Sequence, residues 1–223
     1  MSQERADRIL DVAKDLLLRW GYRRVTVDEV AKRAGVGKGT VYLHWRSREQ
    51  MFLAVGAREA VEMFGAVVSA MRADPAEVML HRYMRRFFVE AMRRPVLRAL
   101  FTRDEDTLGD FLASSARQPL DAAKLSASHE YLGVLAAHGL LREGVRPEDL
   151  DYSLPAIVFG FFAIDPFVAP LALEAKADHL ADTLRRTFEP ASAPDAAACA
   201  PQVIEIFERL GGSFAGVAYN GGK

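Results

Sequence analysis

Apolar residues recur every three or four positions along nearly the whole of this chain. Residues 5–20 place Ile9, Val12, Ala13, Leu16, Leu17 and Trp20 on one face, the period of an amphipathic helix, and Gly21 stands where a helix end favours glycine. Thr26-Val27-Asp28-Glu29 has the spacing of a capping box. In that motif the Thr26 hydroxyl accepts from the N–H of Glu29, and the Glu29 side chain returns to the N–H of Thr26. It predicts a short helix over 27–34 with Val27, Val30, Ala31 and Ala34 inward, stopped at Gly35. After Gly35-Val36-Gly37 a second short helix is expected over 38–45. Val41 and Trp45 point inward there, and Lys38, Thr40, Tyr42 and His44 point elsewhere. Ser47, followed by Gln50, caps a long helix over 47–72 that carries Phe52, Val55, Met63, Phe64, Val67, Val68 and Met71.

Beyond it, breaks at Asp74-Pro75, Arg94-Pro95, 144–147, Asp165-Pro166 with Pro170, and Glu189-Pro190 to Pro194 divide the chain into further helices. These are expected over 76–93, 96–103, 106–138 with one break near Pro119, 147–164, 171–188 and 198–210. No alternating pattern of useful length is present, so the fold class is all-α. The stretch GGSFAGVAYNGGK has little periodicity and much glycine, which predicts a flexible tail over 212–223. The domains expected are 1–50, a larger helical domain over 51–211, and that tail. No flexible linker separates the first two, so the long helix is shared between them as a rigid coupling.

Charge sharpens the division. The whole chain carries a net charge of −1, but residues 1–50 hold 11 Lys and Arg against 7 Asp and Glu, and residues 51–223 hold 18 against 23. Only the amino-terminal fifth has a balance suited to a polyanion. Helices of about eight residues are marginal alone, so the two short ones must be held by docking against the first. Three helices with a glycine turn between the last two form a helix-turn-helix, whose second helix enters the major groove of DNA.

The run ILDVAKDLLLRWGYRRVTVDEVAKRAGVGKGTVYLHWRSREQMF, within residues 5–53, resembles the DNA-binding domain of the tetracycline-repressor (TetR) family of bacterial transcription regulators. The likeness is carried by Gly21-Tyr22, Thr26, Ala34-Gly35-Val36, Gly39-Thr40-Val41-Tyr42, Trp45 and the Ser47-containing tail. It implies that Thr26, Lys38, Thr40, Tyr42, His44 and Arg48 touch operator phosphates or bases. Gly37 departs from the small polar residue the family more often has there, which leaves Lys38, Thr40 and Tyr42 most of the contact. Lys38 can reach guanine O6 or N7, whereas the others suit phosphate positioning. Glu29 is read as a cap, and Asp28 has no assigned role.

In the larger domain Leu80, Met84, Phe87, Phe88 and Ala91 recur at helical spacing, and Phe159, Phe161, Phe162 and Phe167 crowd a second helix. Two readings stand: plain core, or an apolar pocket for a small ligand lined by Met84, Phe87, Phe88, Phe159 and Phe162. The resemblance implies an inducer-binding domain and a homodimer formed through helices at about 147–164 and 171–188. It therefore implies a ligand-responsive regulator, a repressor released from palindromic double-stranded operator DNA by a small hydrophobic or aromatic effector.

Competing classes find less support. His81, His129, His138 and His179 are scattered without metal-ligand spacing, and no nucleophile-elbow or phosphate-loop motif appears. Neither a metal, a cofactor nor a catalytic residue is expected, and the protein is not read as an enzyme. A helical scaffold that keeps the fold without specific DNA readout is the alternative. Cys199 is read as an ordinary small residue. No apolar run is long enough to span a bilayer, and the start MSQERADRIL is charged instead of signal-like. A bacterial cytoplasmic protein is expected, at the nucleoid when bound to DNA.

Overall fold

In the computed structural model residues 2–113, 118–192 and 194–220 are described. They form eleven α-helices: α1 (Ser2–Trp20), α2 (Val27–Ala34), α3 (Lys38–His44), α4 (Arg48–Ala73), α5 (Leu80–Arg93), α6 (Pro95–Phe101), α7 (Glu105–Leu108), α8 (Gln118–Ala137), α9 (Pro147–Ala163), α10 (Leu173–Phe188) and α11 (Ala200–Asn220). No strand occurs among the described residues. Short 3-10 turns link several of them, one at Tyr22–Arg24 between α1 and α2 and one at Pro75–Val78 before α5. The chain separates into two compact units, one of residues 1–62, 94–121 and 211–223, the other of residues 63–93 and 122–210. Three boundaries fall inside α4, α8 and α11 and the fourth between α5 and α6, so neither unit is one continuous segment.

The first unit is built on the apolar stripe of α1. Ile9, Leu10, Ala13, Leu16 and Leu17 are fully buried against Val27, Val30 and Ala31 of α2, Val41 and Trp45 around α3, and Met51, Phe52 and Val55 of α4. Val96 and Ala99 of α6, Leu108 of α7 and Phe111 join the same core. Glu59 of α4 is 2 % exposed and its Oε2 accepts from the N–H groups of Val96 and Leu97, both at 3.1 Å. Those donors belong to the first turn of α6, where a helix leaves its amide groups unpaired. Lys14 Nζ lies 2.6 Å from the other carboxylate oxygen, an ion contact instead of an aligned hydrogen bond.

The expected flexible tail over 212–223 is not what is seen. α11 continues to Asn220; residues 221–223 lie outside the described part. Phe214 and Ala218 are buried, the Trp45 indole Nε1 donates to Ala218 O at 3.2 Å, and the Tyr219 hydroxyl donates to Asp7 Oδ1 at 2.8 Å. Contacts to residues far away in sequence hold a segment whose glycines lower its intrinsic helicity. The expected break near Pro119 is present, since α8 starts at Gln118. Pro119 stands second in α8, where its missing N–H would have been unpaired in any case. Before it, the described part of the expected 106–138 stretch is α7 and a 3-10 turn over Gly109–Ala113.

Gly21 does more than end α1. Its backbone has φ 73° and ψ 158°, a region open essentially to glycine alone, and a Cβ there would lie 2.4 Å from the carbonyl oxygen of Asp106. Gly21→Ala is therefore expected to lower stability by about 2–4 kcal/mol, read as a fall in the midpoint of thermal unfolding. A variant as stable as the parent would show that the α1–α7 approach is not rigid.

In the second unit α10 packs along α5, with Ala177, Leu180, Ala181 and Leu184 buried on one face of α10. Arg85 pairs with Asp178 at 2.6 Å and Arg93 with Glu174 at 2.8 Å along its edges. On α9, Leu150, Leu154, Val158 and Phe162 recur every four residues and are buried. The nearly sealed carboxylate of Glu189 accepts from His81 N at 2.9 Å and lies 2.6 Å from its Nδ1.

Candidate nucleic-acid interface

The α2–turn–α3 unit is set by local chemistry. Thr26 caps α2, its hydroxyl accepting from Glu29 N–H at 3.2 Å. The reciprocal half of the expected capping box is not made: the Glu29 carboxylate instead takes Arg33 Nε at 2.6 Å, a pairing one helical turn ahead that α-helical geometry places within reach. Gly35 has φ 68° and closes α2 through its N–H to Ala31 O and Lys32 O, so it is the glycine of the turn that needs positive φ. Gly37 has ordinary extended geometry, and a Cβ on Gly39 would meet nothing within 4 Å. Their bareness is open surface, not a requirement of the free fold.

On α3 the inward and outward faces separate cleanly. Val41 and Trp45 are each 1 % exposed, and Trp45 also ends the helix. Lys38 and Tyr42 are exposed and Thr40 is half-buried at its edge. Lys38 is not idle, for its Nζ lies 2.8 Å from Asp28 Oδ2, which raises the lysine above its ordinary pKa through that hydrogen bond and charge. Asp28 thereby gains the role the sequence did not supply: the first-turn carboxylate of α2 holds the cation at the start of α3. Both side chains are at least half exposed, so the pair is readily exchanged for another partner.

The remaining expected contacts are arranged less simply. His44 is half-buried, and burial first and Arg5 second hold its pKa below the usual histidine value, so its imidazole is neutral at pH 7. Arg48 lays its guanidinium 3.9 Å from the centre of the Tyr22 ring, and its Nε is buried without a hydrogen-bond partner among the described residues. Tyr22 in turn packs on Phe52 at 5.2 Å and Phe111 at 5.4 Å and donates to Glu49 Oε1. Arg48 is thus part of the packing around Tyr22. Leu43, which is not among the expected contacts, is 81 % exposed on α3. Its position, two residues from both Val41 and Trp45, puts it opposite the buried face, a signal that was present in the spacing.

The five residues expected to line a pocket are divided. Met84 and Phe87 of α5 do line a cavity of about 140 Å³ in the second unit, with Phe64, Tyr83, Lys124, Ala127, Ser128, Tyr131, Phe207 and Leu210. Phe88 and Phe162 are not among the residues lining this cavity. They are sealed and pack on each other with ring centres 4.8 Å apart, because Phe162 falls on the four-residue repeat that α9 buries. Phe159 is off that repeat, is 51 % exposed and is not among the residues lining this cavity.

An all-helical chain whose short, glycine-flanked α3 is docked on α1 and α2 is a helix-turn-helix protein of the DNA-binding class. Residues 9–55 match the family model of "Bacterial regulatory proteins, tetR family". The chain is 24 % identical over 157 residues, 70 % of its own length and 79 % of the relative's, to an uncharacterized HTH-type transcriptional regulator, YvkB, of Bacillus subtilis. It is 34 % identical over 79 residues to a second uncharacterized regulator of that organism, YhgD, a match spanning 35 % of this chain and 37 % of that one. Among solved structures, NalD, the secondary repressor of the MexAB-OprM multidrug efflux pump in Pseudomonas aeruginosa, superposes with a TM-score of 0.63 at 18 % identity, covering 86 % of this chain and all of that one. Residues 9–55 thus carry a DNA-binding head of the TetR type, and the chain as a whole shares the fold of the solved repressor. Among the described residues no helix is long and apolar enough to cross a membrane.

Proposed function

We propose that the protein is a ligand-responsive repressor that binds a two-fold-symmetric operator as a homodimer and leaves it when a small apolar effector occupies the second unit. The observation that carries this reading is the division of α3, with Val41 and Trp45 sealed and Lys38, Tyr42 and Leu43 presented outward. Lys38 exchanges Asp28 for a guanine edge or phosphate, Tyr42 and Thr40 position the backbone, and Leu43 meets a thymine methyl, the one apolar group in the major groove. Thr26 still has its hydroxyl proton to donate to a phosphate, since its oxygen is the acceptor in the cap. His44, being neutral, adds a hydrogen bond but no charge.

Dimerisation is supported by α9. Tyr152, Phe159, Ile164, Phe167, Val168 and Leu171 are all between 44 % and 85 % exposed, an apolar surface of the kind that soluble chains cover with a partner. On α10 the exposed positions are Glu174, Asp178, His179, Thr183, Arg185 and Arg186, so α9 and the segment after it form the better half of the expected interface. A dimer places two α3 helices in successive major grooves, which ties operator symmetry to protein symmetry. Effector binding then has only to favour a conformer with a different spacing, and a coupling of about 1–3 kcal/mol is typical.

Fluorescence anisotropy with the DNA upstream of the protein's own gene tests the reading, the expected result being salt-sensitive, sequence-selective binding. Lys38→Ala should relax discrimination at one base position, and Leu43→Ala should weaken preference for thymine about fivefold. Asp28→Asn should do the reverse for affinity, tightening binding to all sequences and steepening the salt dependence by about one counterion. Wild-type affinity and selectivity in all three would show that this helix does not read DNA.

A further inference from the structure

On the reading that α3 enters the major groove, its two ends are unequally supplied with charge. Its seven residues make a helix about 10 Å long, against a groove about 12 Å wide, so each end comes near a phosphate backbone. Lys38 serves the first end. At the second, His44 is neutral at pH 7, Arg48 lies over the Tyr22 ring, 3.9 Å from its centre, and Arg46 is already engaged.

The start of α1 carries the cation that this end lacks. Two hydrogen bonds from neighbouring residues of α11 bring the two together: Ala218 O accepts from the Trp45 indole at 3.2 Å, and the Tyr219 hydroxyl donates to Asp7 Oδ1 at 2.8 Å. The His44 ring lies 5.2 Å from that of Trp45. Burial first and the positive charge of Arg5 second hold the His44 pKa below its ordinary value, so Arg5 is within electrostatic reach of the last residue of α3. Arg5 and Arg8 are both exposed, and neither forms an ion pair or a side-chain hydrogen bond among the described residues. Three positions apart, they are neighbours on one flank of the helix.

The acidic residues of α1 do not cancel them. Asp7 lies 3.6 Å and Asp11 2.6 Å from the Arg58 guanidinium, and Asp7, two positions from Arg5, is turned to another face. Glu4 holds an interaction of its own. Lys38 must leave Asp28 to reach DNA, whereas Arg5 gives up only water.

We propose that Arg5 is a phosphate anchor, its guanidinium binding the DNA backbone just beyond the end of α3 and fixing how far that helix enters the groove. Such a contact positions the helix without reading sequence. A guanidinium suits it, since two of its N–H groups can meet two phosphate oxygens at once.

Fluorescence anisotropy of the full chain, on the DNA upstream of its own gene and on a scrambled duplex over a series of salt concentrations, tests this. Arg5→Ala is expected to flatten the salt dependence by about one counterion per bound chain and to weaken both duplexes alike, about fivefold at physiological salt. The unfolding midpoint should not move, because Arg5 has no partner in the protein to lose. Arg5→Lys keeps the charge and should keep the slope. Arg19→Ala removes the same charge from the far end of α1 and should leave the slope alone. If the parent binds neither duplex, or binds without salt dependence, the operator reading fails and the anchor with it. If the parent binds as expected but Arg5→Ala keeps its slope, or Arg19→Ala flattens it equally, the anchor alone is overturned and α3 keeps its role.

Discussion

Ending the chain at residue 210 is expected to lower the unfolding midpoint of the first unit by about 10 °C and to weaken DNA binding about tenfold even where the unit remains folded. The truncation removes the acceptor of the Trp45 indole, Ala218 O at 3.2 Å, and the Tyr219 side chain, which packs on the core of the DNA-binding head and donates to Asp7. Trp45 is among the largest fully buried side chains, and exposing one face of it while orphaning its N–H together amount to about 3–4 kcal/mol. At about 2–4 °C per kcal/mol for a chain of this size, the shift is easily read by circular dichroism. The loss of affinity has a separate origin. Trp45 ends α3, so loosening it lowers the fraction of molecules with the reading helix in place, and apparent affinity falls by that fraction. Trp45→Phe keeps most of the packing and gives up only the hydrogen bond, so it should show a smaller version of both effects. A truncated protein that melts and binds like the parent would show that α11 is not part of the head.

That contact also shows where sequence reasoning stops. Helices α2 and α3 were legible because their caps, inward residues and stop signals lie within a few positions of one another. Trp45 was legible as core because it is four residues from Val41. The end of α11 was not, since what stabilises it is paired with residues 7 and 45, more than 170 positions away, and no window over 211–220 contains them. The same reason hid the partnership of Asp28 and Lys38, which sit on different helices. The aromatic residues of α9 are a different case: Leu150, Leu154, Val158 and Phe162 already mark a buried face, and that spacing excludes Phe159.

Glu59→Ala is expected to be among the most damaging single substitutions in the head, at about 3 kcal/mol, or about 6–12 °C in the unfolding midpoint. An acidic residue between Arg58 and Ala60 in a long helix reads as a solvated position, yet here it is 2 % exposed. Its carboxylate joins three elements, receiving the first-turn amides of α6 from Val96 and Leu97 and facing Lys14 of α1. Removing it leaves two buried N–H groups without acceptors and a lysine, 30 % exposed, without its counter-charge. Breaking a buried pair from one side is far worse than never having had it, because the surviving partner stays desolvated. Glu59→Gln separates the two contributions. Its amide oxygen can still accept from α6 while the charge is gone, so it should lose less than Glu59→Ala, and adding Lys14→Met should restore part of the difference. If Glu59→Ala melted within about 1 °C of the parent, the amides of α6 would have to be satisfied by water, and α6 would not be anchored to α4 at all. The double-mutant cycle with Lys14 then measures how much of the loss belongs to charge and how much to the helix start.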